Sequence, residues 1–264
     1  MSRLFTTDTA DANNLISGID TGVLTMVVWV YVITTPLSAS EVIFGTAAQI
    51  AGGQSAGQIN MQDPTVAGFR PHFSYRWSTN FGEWVADDDF SLNAWHHIAA
   101  TYDGGATTNN PIIYVDGSSV AITELKTPAG TLKTGLDSAR FGKNVGSGQP
   151  VAGARMAEAA VWGSILKANQ ILSMASGVSP IRFTPQAYWP MYGGASPEPD
   201  LAGGGAPLTI TGTVIALHPP IAPPFGFDDY AFATVIAAVT VPDDTLAPTM
   251  QMANSGGMIG AVNV

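Results

Sequence analysis

Residues 95–117 run Trp95-His96-His97-Ile98-Ala99-Ala100-Thr101-Tyr102-Asp103-Gly104-Gly105, then a Thr/Asn/Pro stretch, then Ile112-Ile113-Tyr114-Val115-Asp116-Gly117. Both apolar runs are rich in β-branched and aromatic residues, which suit a pleated surface. Each stops at Asp-Gly, where positive φ is tolerated. Asp116-Gly117 is a strong hairpin signal. Two strands with tight turns are therefore expected here, and the same pattern repeats on either side.

Upstream, Leu24 to Ile33 is a long apolar strand that ends before Pro36, and Glu41 to Ile50 reads as its neighbour. Gly68 to Trp77 alternates in part, and Pro71 suggests an edge or a bulge. Downstream, Ser138 to Gly142 is a short strand, and Arg155 to Trp162 is a buried strand of small side chains. Helix-period patterns are nearly absent. One helix is expected over Ile165 to Met174, with Leu166, Ile171, Leu172 and Met174 near one side and Gly177 as its stop. Recurrent strands between Gly, Pro, Asn and Asp clusters indicate a two-sheet antiparallel sandwich.

After Pro180 the chain changes character. Ala187 to Tyr192 and Pro207 to Gly212 read as two more strands around a Gly/Pro loop. His218-Pro219-Pro220-Ile221-Ala222-Pro223-Pro224 is a stiff linker. Ala231 to Val241 is an apolar, uncharged, β-prone run that must pair with some strand to avoid aggregation.

Composition narrows the function. Charged residues are 11% of the chain, against about 25% in ordinary soluble domains. Net charge is −10, and six carboxylates but no Lys or Arg follow Arg182. A nucleic-acid binder needs a basic stripe, and none is legible. With no cysteine, disulfides, thiolate metal sites and a cysteine nucleophile are excluded. The N-terminal residues lack a signal-peptide pattern, so synthesis in the cytoplasm without general export is expected. The apolar run Val23 to Ile33 is too short to span a bilayer, so no membrane insertion is expected.

Four motifs carry a family resemblance. They are Trp95-His96-His97-Ile98-Ala99 with Thr101-Tyr102-Asp103-Gly104, Tyr114-Val115-Asp116-Gly117, Arg140-Phe141-Gly142, and Ala154 to Trp162 followed by Ile165-Leu166. Together they resemble the laminin-G/pentraxin-like branch of the concanavalin A-like lectin/glucanase superfamily. The resemblance covers about the middle third of the chain and implies an all-β jelly roll with one short helix. Ala187-Tyr188-Trp189-Pro190 and Asp200-Leu201-Ala202-Gly203-Gly204 resemble an opening strand and loop of such domains, displaced to follow the helix. A permuted sandwich over residues 1–216 is expected, with a Pro-rich linker and extended arm over 217–264. Permuted forms with a following His-Pro-Pro stretch resemble phage and phage-like proteins.

Glycosidases of this superfamily place carboxylates as Glu-x-Asp-x-x-Glu on one strand, and a retaining pair sits about 5 Å apart. No such spacing occurs, so no enzyme is expected. Asp87, Asp88 and Asp89 offer oxygen ligands of the kind Ca²⁺ takes, or else form an exposed acidic turn. The calcium-bearing relatives carry Asp where this chain has Ala157. His96 and His97 are strand neighbours that point to opposite faces, which suits one packed and one exposed ring rather than a chelate. Tyr75, Trp77 and Trp84 are candidates for a sugar platform, or for core packing. Phe225, Phe227, Tyr230, Phe232, Val235 and Ile236 are candidates for assembly contacts.

The reading is a non-catalytic structural virion protein, a capsid decoration or tail component. It would contact other virion or coat proteins and further copies of itself, with residues from about Pro219 onward adding a strand to a neighbour. The alternative is a glycan-binding laminin-G-like module at a cell surface, with Ca²⁺ as the one ion to consider.

Overall fold

The computed structural model describes residues 2–5, 9–13, 22–36, 41–47, 55–133, 138–142, 151, 153–192 and 196–221. Its strands, in chain order, are β1 (Ser2–Phe5), β2 (Thr9–Asn13), β3 (Val23–Val32), β4 (Glu41–Ala47), β5 (Ser55–Gln62), β6 (Arg70–Tyr75), β7 (Gly82–Ala86) and β8 (Trp95–Asp103). There follow β9 (Ile112–Val115), β10 (Ser118–Ser119), β11 (Ile122–Lys126), β12 (Ser138–Phe141) and β13 (Ala154–Trp162). After helix α1 (Ala168–Ala175) and a 3-10 turn (Pro180–Phe183) come β14 (Ala187–Trp189), β15 (Thr209–Thr211) and β16 (Val214–Ala216).

These strands form two antiparallel sheets. Sheet A runs β10-β9-β8-β3-β13-β1-β16, with β14 also on β13. Sheet B runs β11-β7-β6-β5-β4-β12-β2-β15. Between them lies one apolar core that includes Val28, Val30, Phe44, Phe73, Trp84, Tyr102, Phe141, Met156 and Trp189. Fully burying one such side chain contributes about 1.5–3 kcal/mol, so the core needs no covalent staple.

The β9–β10 hairpin turns at Asp116 (φ 50°) and Gly117 (φ 85°), as its Asp-Gly dipeptide requires. The strands after the helix complete both sheets. β14 pairs with the upper half of β13, β16 with β1 and β15 with β2. Asp200 locks the loop between β14 and β15. Its Oδ1 accepts from the N–H groups of Tyr188 (2.7 Å) and Ala202 (3.0 Å), and its Oδ2 from Gly205 N–H (2.6 Å). A Cβ on Gly204 would lie 2.2 Å from Gln186 O, which accounts for the glycine.

Four expectations change. β4 does not neighbour β3, because the chain crosses to sheet B and pairs with β5 and β12. β6 lies inside its sheet and is no edge strand. Its pairing with β7 starts only at His72, so Pro71 sits in a stretch with a single partner strand. The helix begins at Ala168, and Leu172 is 51% exposed while Ile171 and Met174 are buried. Successive helical residues are turned by about 100°, so Leu172 leaves the face that its neighbour Ile171 buries. β1, β2, β5, β7, β11 and β16 are strands that the hydrophobic pattern does not reveal.

The chain divides into a compact unit, Met1–Phe225, and a second unit, Gly226–Val264. The second lies outside the described residues, as do the assembly candidates Phe225, Phe227, Tyr230, Phe232, Val235 and Ile236.

Candidate functional site

The outer face of sheet B carries a ladder of polar side chains. Along β5, Ile59 and Met61 point into the core, so Gln58, Asn60 and Gln62 point away from it. Along β6, Phe73, Tyr75 and the following Trp77 are core residues, so Arg70, His72, Ser74 and Arg76 face outward. The register sets Gln58 opposite Ser74, Asn60 opposite His72 and Gln62 opposite Arg70. β7 adds Glu83 beside Ser74 and Val85 beside His72.

One row crosses the whole sheet, Lys126–Glu83–Ser74–Gln58–Gly45–Arg140–Asp11–Thr209, each residue opposite the next. Gly45 places no side chain between Gln58 and Arg140.

Although the ladder faces away from the core, Asn60, His72 and Ser74 are buried. Asn60 Nδ2 donates to His72 Nδ1 (3.2 Å). Gln58 Oε1, Asn60 Oδ1, Gln62 Oε1, His72 Nε2 and Arg76 Nε have no hydrogen-bond partner. Leaving one such group unsatisfied costs about 1–3 kcal/mol, and in native proteins such groups call for an explanation in water, ion or ligand. Here they lie on two adjacent strands and one face.

Electrostatics keep the ladder largely uncharged at its centre. Desolvation, helped by Arg70, lowers the His72 pKa to about 4, so the ring is neutral near pH 7 and its Nε2–H is a donor. Burial raises the Glu83 pKa, against the opposing charge of Lys126.

The outer face of sheet A is different. Val27, Ala99, Tyr114, Ala160, Trp162 and Tyr188 pack there against Leu166, Ile171 and Met174 around α1. Where β1 and β14 share the edge of β13, Glu158 sits on a bulge at φ 56°. Its fully buried carboxylate accepts a bond from Tyr188 OH and lies 3.1 Å from His218 Nε2. Burial first, then the Glu158 charge, pushes the Tyr188 phenol far up, so it stays protonated and donates.

A laminin-G-type family model, described as the concanavalin A-like lectin/glucanases superfamily, matches residues 6–172. The chain belongs to this superfamily. The matched segment stops within α1, so β14, β15 and β16 complete the superfamily's two sheets from outside it. No curated protein sequence matches the chain. Among solved structures, it is similar to a Bacteroides ovatus protein named a "putative carbohydrate binding protein", with 19% identity, TM-score 0.60, and coverage of 84% of this chain and 61% of that one. It is also similar to a heptameric SAP-like pentraxin from Limulus polyphemus (15% identity, TM-score 0.43, 66% of this chain, 76% of that one). A third is the CBM40 of the Ruminococcus gnavus IT-sialidase bound to α2,3 sialyllactose (12% identity, TM-score 0.46, 66% and 97%).

Within this superfamily fold, the residues singled out from sequence take other places. Tyr75, Trp77 and Trp84 are 1%, 5% and 0% exposed. Their polar tips are used internally, toward Lys133 O, Tyr102 OH and Asn110 Oδ1. A sugar ring cannot stack on a ring inside the core, so these three are packing residues. Asp87, Asp88 and Asp89 do not converge. Asp87 accepts from Thr123 Oγ1 (2.7 Å), while Asp89 ties the N–H groups of Thr65, Val66 and Ala67. Among the described residues no group of three or more His, Asp or Glu could hold a metal ion, and no helix is long and apolar enough to cross a membrane.

Both His96 and His97 are buried, at 8% and 1%, so neither is the exposed ring expected. His96 bonds Asp116 Oδ2 (2.8 Å) and Ser91 Oγ (3.0 Å). His97, on the other face, sits edge-on to Trp29, and burial lowers its pKa to about 4.

The ladder itself escaped the sequence reading because β5 has few large apolar residues. The signal was the alternation Gln58-Ile59-Asn60-Met61-Gln62 against Arg70-Pro71-His72-Phe73-Ser74-Tyr75-Arg76.

Proposed function

We propose that the chain is a non-catalytic glycan-binding module whose ligand lies on the outer face of sheet B. One observation carries this reading: five orphaned, buried polar atoms share one ladder on the face opposite the core. Three are amide oxygens that accept, and two are N–H donors, His72 Nε2 and Arg76 Nε. Hydroxyls both donate and accept, so a polyhydroxylated ligand satisfies this mixture. The name of the Bacteroides ovatus neighbour accords with it. A non-catalytic role is supported by the missing Glu-x-Asp-x-x-Glu spacing and by Glu158, which is buried and tied to Tyr188.

The test is a glycan array in chelator-containing buffer, with Gln58→Ala and Gln62→Ala as probes at the half-buried rim. Specific binding that falls more than tenfold in each variant, with unchanged thermal melts, supports the reading. Binding that both variants keep in full would sink it.

A protein-contact role has one favourable observation of its own. Edge strand β16 and the next residue expose Val214 (56%), Ile215 (47%) and Leu217 (77%). In a virion coat or tail, such an edge would meet a second copy of the chain. Sedimentation of wild type against Ile215→Lys tests this, since the variant should stay monomeric where the wild type associates.

A further inference from the structure

We infer that Asn60 and His72 form the specificity centre of the ladder: Asn60 holds the His72 ring in the tautomer that presents Nε2–H, and an uncharged sugar bridges that N–H and the Asn60 carbonyl. The inference rests on the glycan-binding reading above and names its ligand class.

Across sheet B the two residues stand in the row Val42–Asn60–His72–Val85, each opposite the next. All four are buried, and both ends of the row are apolar. Asn60 Nδ2 donates to His72 Nδ1, so the neutral ring carries its proton on Nε2. Burial and Arg70 keep that ring neutral near pH 7. What is left over is one acceptor, Asn60 Oδ1, and one donor, His72 Nε2. The core does not require this pair, because Ile59 and Phe73 fill it from the same strands. An apolar pair of like shape would spare the cost of two unsatisfied groups, and the flanking valines show that the row takes apolar side chains. A ligand accounts for the pair. Neighbouring hydroxyls of one sugar ring supply a donor for Asn60 and an acceptor for His72.

The charges around the pair stand to one side or are engaged. Arg70 Nε donates to Asp63 O (3.1 Å) and stands 3.9 Å from Asp89. On β7, Glu83 lies opposite Ser74 with Lys126 beyond it, and Asp87 accepts from Thr123 Oγ1 (2.7 Å). Arg76 is four residues past His72, about 13 Å along the extended chain. A charged group set on the pair would therefore lose its water with no opposite charge to meet it, whereas a hydroxyl loses only what the pair returns. Gln58 Oε1 and Gln62 Oε1, on either side of Asn60, make no hydrogen bond. Swinging those half-buried arms aside to admit a sugar breaks no bond at either oxygen.

The experiment uses the full chain. Nitrogen NMR of the imidazoles, with His72→Gln for assignment, should show His72 protonated on Nε2 and bare on Nδ1 at pH 7. Neutral tetrasaccharides of glucose, mannose and galactose are titrated beside the corresponding uronates. A neutral tetrasaccharide is expected to bind at least tenfold tighter than its uronate. Asn60→Asp replaces the donor to His72 with an acceptor, so it should move the His72 proton to Nδ1 and weaken that binding at least tenfold. Should Asn60→Asp fail to fold in a thermal melt, the wild-type tautomer and the uronate comparison carry the test. A proton on Nδ1 in the wild type, uronates bound as tightly as neutral sugars, or full binding by a folded Asn60→Asp each overturns this inference and leaves the glycan reading standing. No binding to any tetrasaccharide, neutral or acidic, by a folded protein overturns both.

Discussion

The two outer faces of the sandwich have the same origin and opposite fates. Each is the set of side chains that alternates with the core-facing set. On sheet A that set is apolar where α1 covers it, and its buried polar atoms without a hydrogen bond, both His97 nitrogens and Arg155 Nε, belong to side chains that pack on the Trp29 and Tyr31 rings. Glu158 receives the Tyr188 hydroxyl and sits against His218. On sheet B the set is polar, and five of its buried atoms have no partner. The orphaned atoms of sheet A are dispersed among aromatic rings, whereas those of sheet B adjoin one another on two paired strands, the arrangement on which the glycan-binding proposal rests.

The comparison can be broken at its tied end first. Tyr188→Phe keeps the ring and removes the donor to a buried carboxylate, which should cost about 3 kcal/mol in urea unfolding. A loss under about 0.5 kcal/mol would mean that the node is not held by that bond.

The next effect concerns one histidine on each face. His72 and His97 titrate at about 4 in the folded chain and near 6.5 when unfolded. As pH falls, the unfolded chain takes up protons first. Stability is therefore full above about 6.5 and drains as pH falls toward 4, by about 3 kcal/mol per histidine. Thermal melts from pH 7 to 4 should show this slope. His97→Phe and His72→Gln should each remove about half of it, and a slope that survives both assigns it elsewhere.

Asp200→Ala frees three backbone N–H groups and should lower stability by about 2 kcal/mol, detectable by equilibrium unfolding. Smallest, and opposite in sign, is Gln62→Leu on the ladder. It removes an orphaned acceptor, so stability should hold or rise by a few tenths of a kcal/mol while glycan binding weakens. Destabilisation above about 1 kcal/mol would show that Gln62 has a structural partner.

Much of the fold was legible because its signals are local. Leu24–Ile33, Trp95–Tyr102 and Ile112–Gly117 declare strands and a hairpin by composition and turn chemistry alone. Strands that follow the helix and join the earlier sheets were also foreseeable, since Ala187–Trp189 and the Asp200 loop form a recognisable pair. The site was not legible. Trp84 and Tyr75 resemble a sugar platform as much as they resemble core, and only the register turns them inward.

The sequence by itself determined the all-β class, the hairpin at Asp116-Gly117 and the superfamily, because turn residues and β-rich runs act over a few positions. Tertiary structure alone decided which face each strand presents. A strand exposes alternate residues, and a one-residue change of register exchanges the two sets. Pairing of β6 with β5 and β7 put Phe73 and Trp84 into the core and left Gln58, Asn60, Gln62 and His72 together on the outer face. Each strand's alternation is visible in the sequence, but their meeting depends on pairing partners eight to sixteen residues apart, which the alternation alone does not assign.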